Sequence, residues 1–382
     1  MLFETPTLTE AEVQVIAEID QLRSSMRIHL GEPKRWSGSL RRVQFARGVQ
    51  GSNSIEGYQA KLDDALAIDA GEEPLDASGE TTAAIKGYRD ALTYVLQLAD
   101  ERQFHFSAQL IKSLHFMMTG YSLTNRPGRW RAGPIYIHND ETGQMVYEGP
   151  DVEHVDPLMA ELANWLESET QSHAIVRAAM AHLNLVLIHP FRDGNGRMAR
   201  CLQTLVLARE GILSPVFSSI EEYLGRNTRS YYDVLAVVGG GSWRPGNDAR
   251  LWVRYCLTAH LRQARTILRR IKESGRIWTE LNRLAEQYRL AERTMYALYD
   301  AALGLRVRNS VYRAILEQAG EPISDQAAGR DLRQLATLGL LHARGERRGR
   351  HYVAGPQLRQ IHQQIIANRD PRDTSDPFAG VE

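Results

Sequence analysis

Twelve consecutive residues concentrate the chemistry of this chain: His189-Pro-Phe-Arg-Asp-Gly-Asn-Gly-Arg-Met-Ala-Arg200. His189 has an ordinary pKa near neutrality, so it can take a proton from an incoming hydroxyl. Asp193 offers the kind of oxygen Mg2+ uses when it shares its coordination between one carboxylate, phosphate oxygens and water. Gly194 and Gly196, on either side of Asn195, permit left-handed backbone and let a ligand approach the N–H groups closely. Arg197 and Arg200 can fork onto phosphate oxygens with charge-assisted bonds. Base, metal ligand and anion cradle together describe phosphoryl-type transfer from a nucleoside triphosphate. Such transfer works by positioning and charge stabilisation, with little covalent work by the protein.

Two helices must hold these groups. Val176, Ala179, Leu183, Val186 and Leu187 recur at three- and four-residue steps, the period of one buried helical face. Pro190 cannot continue that helix, which leaves His189 at its C-terminal end. A second helix is expected from about Asn195, with Met198, Cys201, Leu202 and Leu205 as its apolar stripe. Arg197 and Arg200, three apart, then share another face and can point at a ligand. The glycine turn sits at the N-terminus of this helix, where unsatisfied N–H donors and the helix dipole favour an anion. Phe191 reads as the apolar anchor of the turn.

The segment resembles the signature of Fic-domain proteins, H-x-F-x-(D/E)-G-N-G-R-x-x-R, and meets each fixed position with His189, Phe191, Asp193, Gly194, Asn195, Gly196, Arg197 and Arg200. The resemblance implies a mainly α fold, a Fic-type helical bundle with a β-hairpin flap. It also implies protein AMPylation, the transfer of AMP from ATP to a Ser, Thr or Tyr hydroxyl of a target protein, with the chain itself among the candidate targets. His189 would be the general base, Asp193 would hold Mg2+, Gly194, Asn195 and Gly196 would cradle phosphates, and Arg197 and Arg200 would bind the leaving pyrophosphate. Ser52-Asn-Ser-Ile-Glu56-Gly57 is similar to the family's inhibitory motif (S/T)-x-x-x-E-(G/N). Its position ahead of the core implies the class with an N-terminal inhibitory helix, in which the Glu56 carboxylate neutralises Arg200. Arg129 to His138, followed by Met145-Val-Tyr147, reads as a hairpin and resembles the Fic flap. Ile135, Tyr136, Ile137 and His138 would then offer a strand edge to the target. The resemblance puts Tyr231 near the adenine, although tyrosines at helical spacing are equally suited to a core.

The 382 residues suggest two or three domains, and 46 basic residues balance 46 acidic ones, so no global pull toward nucleic acid or membrane follows. The two cysteines, Cys201 and Cys256, lie in apolar helical runs, which implies buried thiols in a reducing cytoplasm. No leader and no membrane span are expected. Val13, Ile16, Ile19 and Leu22 mark an N-terminal amphipathic helix, and a long basic helix is expected from about Arg250 to Ile271. Val311, Ile315 and Leu316 mark a later helix, Leu332, Leu335, Leu338 and Leu341 another, and Gly345 to Val353 a basic hairpin. That order resembles a C-terminal winged helix-turn-helix. Arg333 and Gln334 would face DNA, with Arg347, Arg348 and Arg350 on the wing; a scaffold or target-docking module is the alternative. The expected division is an N-terminal helical region over 1–105, a Fic core over 106–260 and a helical connector over 261–308. A winged-helix-like domain over 309–368 and a disordered tail over 369–382 complete it. The leading function is a protein adenylyltransferase autoinhibited by Glu56. The alternatives are deAMPylation of modified protein or a nucleotide-sensing transcriptional regulator, with a homodimer as a further partner arrangement.

Overall fold

Helices dominate the computed structural model, which describes residues 1–31, 34–138, 142–211, 215–369, 371 and 373–381. The order begins α1 (Glu10–Leu30), α2 (Arg35–Ile55), α3 (Leu62–Asp69), α4 (Gly79–Leu98) and α5 (Ala108–Thr119). A hairpin of β1 (Tyr136–His138) and β2 (Met145–Glu148) follows, then α6 (Val152–Ser168), α7 (Ala174–Ile188) and α8 (Asn195–Arg209). Next come α9 (Pro215–Ser218), α10 (Glu221–Arg226), α11 (Thr228–Gly239) and α12 (Arg250–Tyr288). The C-terminal part holds α13 (Met295–Ala302), α14 (Asn309–Gln318), α15 (Asp325–Thr337), the antiparallel strands β3 (Leu341–Arg344) and β4 (His351–Ala354), and α16 (Pro356–Ala367).

The helix pair α7 and α8 forms the centre. Every residue of α7 is buried, and so is nearly all of α8. A helix apolar on all sides needs neighbours on all sides, and α4, α5, α6, α12 and the α2–α10 pair supply them. The chemical motif is the turn joining α7 to α8, so the most rigid part of the molecule carries it.

Two glycines set the approach of α2. A Cβ at Gly51 would lie 2.6 Å from the Glu221 carbonyl oxygen, and one at Gly225 would lie 2.7 Å from the Gly51 oxygen. The backbones of α2 and α10 therefore touch, which fixes the depth at which the C-terminal end of α2 enters the centre.

Four expectations are corrected. The long basic helix does not stop near Ile271: α12 runs 39 residues to Tyr288, about 58 Å at 1.5 Å per residue. The expected boundary at 260/261 therefore falls inside one continuous helix, whose first half packs on the central core and whose second half packs on α13 to α16. Leu341 belongs to a strand rather than to the helix of Leu332 and Leu335, because Gly339, at φ +72, ends α15 and turns the chain into β3. Val13 is exposed, although Ile16 and Ile19 of the same helix are buried.

The tail expected to be disordered is docked. Phe378 is buried beneath the Arg254 guanidinium, 5.3 Å from its ring, while Arg262 donates to the carbonyls of Thr374 and Ser375 at 2.9 and 3.1 Å. Asp373 pairs with Arg265. One aromatic anchor and a facing row of α12 arginines outweigh the polar composition of the segment. Asp370, Arg372 and Glu382 lie outside the described residues.

Candidate active site

The last residue before Pro190 is excluded from ordinary helical backbone by the proline ring. His189 accordingly caps α7 in the left-handed region, at φ 52 and ψ 57. A non-glycine residue held there stores strain, and such strain gathers at functional sites. The His189 Nδ1 lies 3.0 Å from the Val186 carbonyl oxygen. A carbonyl can only accept, so Nδ1 carries the proton and Nε2 keeps its lone pair outward. Burial pushes the imidazole down to about 4, partly offset by the Val186 bond and by the nearby Glu56 and Asp193 charges. The ring is a neutral base.

The turn after it is locked by its own asparagine. Asn195 Oδ1 accepts from the Phe191 N–H at 2.8 Å, and Asn195 Nδ2 donates to the Phe191 carbonyl at 2.9 Å. Both polar atoms of the side chain are thereby engaged, so Asn195 serves the cradle through its backbone and by shaping the loop. Phe191 is fully buried and stacks on His115 with ring centroids 3.6 Å apart. His115 Nδ1 accepts from Gly128 N–H, and its Nε2 donates to the Asp193 carbonyl, both at 2.9 Å. Asp193 Oδ1 accepts from Gly194 N–H at 2.6 Å and Oδ2 from Asn125 Nδ2 at 2.9 Å. Its side chain keeps 39% of its surface exposed, enough to meet a ligand.

Gly194 sits at φ +77, where a Cβ would meet Thr119 Cγ2 at 2.9 Å. A Cβ at Gly196 would collide with Glu56 Oε1. The carboxylate of Glu56 thus lies directly on the first turn of α8, the position at which an anion is stabilised by free N–H groups.

The arginines are buried and only partly satisfied. Arg200 donates from Nε to Ser52 Oγ at 2.8 Å, and from Nη2 to Ser52 O at 3.0 Å and to Glu56 Oε1 at 2.6 Å. Its Nη1 has no partner. Arg197 is 0% exposed, donates to Tyr121 Oη at 3.4 Å and lies 5.0 Å from the Tyr58 ring; its Nη2 is 3.8 Å from Asp193 Oδ2, and neither Nε nor Nη2 has a hydrogen-bond partner among the described residues. Unpaired guanidinium donors in an enclosed site are costly unless an anion completes them. Gly57, at φ +83, turns the chain out of α2 so that Glu56 and Tyr58 address neighbouring arginines.

Tyr231 lies against Arg200, its ring 6.0 Å from the guanidinium, with its hydroxyl turned into the core. It is 1% exposed, and its hydroxyl donates to His182 Nε2 at 2.9 Å, while His182 Nδ1 donates to Gln203 Oε1 at 2.6 Å. The adjacent Tyr232 is half exposed and donates to the Ile55 carbonyl at 3.3 Å, which makes it the tyrosine that borders the C-terminal end of α2.

The flap expected at Ile135, Tyr136, Ile137 and His138 is an antiparallel pair, Tyr136 opposite Glu148 and Ile137 opposite Tyr147, with an irregularity before His138. The outer edge of β2 is closed at Glu148 by Gly241 to Trp243. Among the described residues the outer edge of β1 has no partner strand, and Tyr136 and His138 are exposed along it. Residues 139–141 at the tip lie outside the described residues. Arg131 ties the flap to the motif, donating from Nε to His189 O at 3.0 Å and from Nη1 to Gly133 O at 2.8 Å, with Nη2 on Pro150 O. Arg131, His115, Asn125, Tyr58 and Tyr121 carry no role in the sequence analysis. The contacts that bring them to the motif and to each other span 58 to 78 positions, and no local spacing signals such contacts.

Comparison with known proteins agrees with this geometry. Residues 105–207 match the Fic/DOC family, and the chain carries a Fic domain. The chain is 25% identical over 245 residues to "Protein adenylyltransferase Fic" of Nematostella vectensis, covering 63% of this chain and 54% of that protein. It is 29% identical over 246 residues to "Protein adenylyltransferase fic-1" of Caenorhabditis elegans, covering 63% and 45%. It therefore spans about half the length of the curated relatives it matches. The fold is that of a Fic family protein from Desulfovibrio desulfuricans G20, with a TM-score of 0.58 and 22% identity over 92% of this chain and 98% of that one. Fic-1 of C. elegans (aa134 - 508) superposes with a TM-score of 0.55 at 24% identity over 69% of this chain and 73% of that chain.

Proposed function

We propose that this protein transfers AMP from ATP to a hydroxyl side chain of a target protein, and that Glu56 holds it inactive. The observation that carries the reading is the Glu56 carboxylate seated on the α8 N-terminus and bonded to Arg200, where a terminal phosphate would otherwise sit. An acidic group in a phosphate cradle is an electrostatic stand-in for the substrate.

In the reaction, His189 Nε2 takes the proton of the target hydroxyl as its oxygen attacks the α-phosphorus. A new phosphoester bond forms, the bond to the β-phosphate oxygen breaks, and pyrophosphate leaves toward Arg197 and Arg200. Donors fixed before the reaction stabilise the developing charge without having to reorganise. The half-exposed Asp193 carboxylate beside the cradle fits Mg2+ and would hold it, and the ion would supply neutralisation of phosphate charge. The free edge of β1 suits main-chain pairing with an extended target segment. The relatives' names speak for the same activity in those proteins.

Incubation with ATP labelled at the α-phosphate tests this. Glu56→Gly should raise AMP incorporation, and His189→Ala in that background should abolish it. Equal labelling with and without His189 would refute the base assignment.

A second reading rests on α15, whose Arg330, Arg333 and Gln334 are exposed together near the exposed Arg347 and Arg350 of the β3–β4 tip. The side chain of Arg348 lies outside the described residues. Basic groups on a helix and an adjoining wing fit duplex DNA. Binding to a short duplex that weakens steeply with salt and is lost on Arg333→Ala with Arg347→Ala tests it.

A further inference from the structure

A second concentration of arginines lies away from the motif, where α2, α10, α12 and α16 meet. It surrounds a cavity of about 260 Å3 whose lining includes Arg47, Arg226, Arg269, Arg270 and Arg369. Two carboxylates serve these five guanidinium groups. Glu222 takes Arg270 at 2.6 Å, Arg226 at 2.7 Å and Arg47 at 3.7 Å. Glu273 takes Arg369 at 2.5 Å and Arg269 at 3.9 Å. Among the described residues, these guanidinium groups outnumber the carboxylates paired with them around one partly open space.

The surplus is felt. Burial and the neighbouring Arg270 and Arg226 hold the Arg47 guanidinium down to about 10, with Glu222 pulling the other way. The Arg270 and Arg226 charges cluster on Glu222, whose carboxyl is held down to about 2. Gln44 supplies an independent sign. It is 4% exposed and lines the same cavity; its Oε1 accepts from Arg270 at 2.8 Å, yet its Nε2 has no hydrogen-bond partner among the described residues. Arg47 Nε is likewise unpartnered. Buried donors are ordinarily satisfied, so two unmet ones beside a surplus of cationic groups mark a place for an acceptor of negative charge. Burial and the Arg369 charge lower the His362 imidazole from its ordinary range on the same lining, with Glu273 pulling the other way.

We propose that this cavity binds a small phosphate-bearing anion of diphosphate size, held by Arg47 and Gln44 of α2, Arg226 of α10, Arg269 and Arg270 of α12 and Arg369 just beyond the end of α16. Planar guanidinium forks match phosphate oxygens in pairs. Either free pyrophosphate or the diphosphate end of a nucleotide supplies the same group. Arg47 lies on the helix that delivers Glu56, so the anion would clamp that helix to α12 and α16.

Equilibrium dialysis of the full chain with labelled pyrophosphate tests this, in a protein carrying Arg197→Gln so that the motif does not contribute. Saturable binding is expected, weakened at least tenfold by Arg47→Gln or Arg369→Gln and severalfold by Gln44→Leu. Gln44→Leu removes no charge, so it decides the matter should an arginine variant fail to fold. ADP that binds with the same losses identifies a nucleotide as the source, whereas pyrophosphate alone identifies a free anion. No saturable binding in the Arg197→Gln protein, or binding unmoved by all three substitutions, overturns the proposal. The readout is binding, so it stands or falls apart from AMP transfer.

Discussion

Replacing Glu56 by glycine should make the protein less stable and more responsive to ATP at once. In the present structure Arg200 is fully buried and bonded to Ser52 and Glu56. Removing the carboxylate takes away one charge-assisted bond, worth about 1.5–3 kcal/mol. Both Ser52 contacts survive and Glu56 is itself 23% exposed, so the loss stays below the 3–5 kcal/mol typical of breaking a fully buried pair. We expect a cost of about 2 kcal/mol, read as a melting temperature several degrees lower. ATP with Mg2+ would then place phosphate oxygens on the vacated Arg200 donors. At a hundred times its dissociation constant a ligand adds about 2.7 kcal/mol, enough to recover the loss. Thermal melting of both proteins, with and without ATP, reads both effects. Glu56→Gln, which keeps an acceptor without the charge, should fall between. An ATP-induced shift equal in wild type and Glu56→Gly would refute the view that the carboxylate occupies a phosphate position, and so would an undiminished melting temperature in the variant.

Three further outcomes follow from the same geometry. Desolvation lowers the His189 pKa to about 4, so the base is neutral above that value; kcat/KM of Glu56→Gly should hold through pH 6.5 and fall only toward pH 4, and an acid limb at 6.5 would contradict the desolvated neutral ring. Burial raises the Glu221 carboxyl to about 7, so the stability it favours is complete below about pH 4.5 and lost as pH rises through 7; melting temperatures at pH 5 and pH 8 should converge in Glu221→Gln relative to wild type. Asn195→Ala removes two buried bonds to the Phe191 backbone and should cost about 2 kcal/mol at roughly 1 kcal/mol each, with loss of AMP transfer; denaturant unfolding that shows no change would mean the loop holds its shape by other means.

The sequence was most readable where chemistry and chain order coincide. From His189 to Arg200 the base, the turn and the start of α8 follow from Pro190, two glycines and the apolar spacing on either side, because each constraint acts within one or two helical turns. The Glu56–Arg200 pairing was also anticipated, but only through resemblance, since nothing local to residue 56 names a partner 144 positions away. The limits of periodicity show at α12 and in the tail. A polar stretch after Ile271 continued as helix because it packs on α13 and α16, and Phe378 found a buried seat on α12 that composition alone does not reveal.

What the amino-acid order settles by itself is the inventory: which groups can take a proton, bind a metal or meet a phosphate, and which segments coil around them. Only the tertiary structure decides how those groups are occupied. It turns Tyr231 inward to His182, engages both ends of Asn195 with the loop backbone, places Tyr58 over Arg197, and brings the backbones of α2 and α10 into contact at Gly51 and Gly225 so that Glu56 reaches α8. Those outcomes depend on close packing between elements far apart in the chain, where a single methyl group can admit or exclude an arrangement.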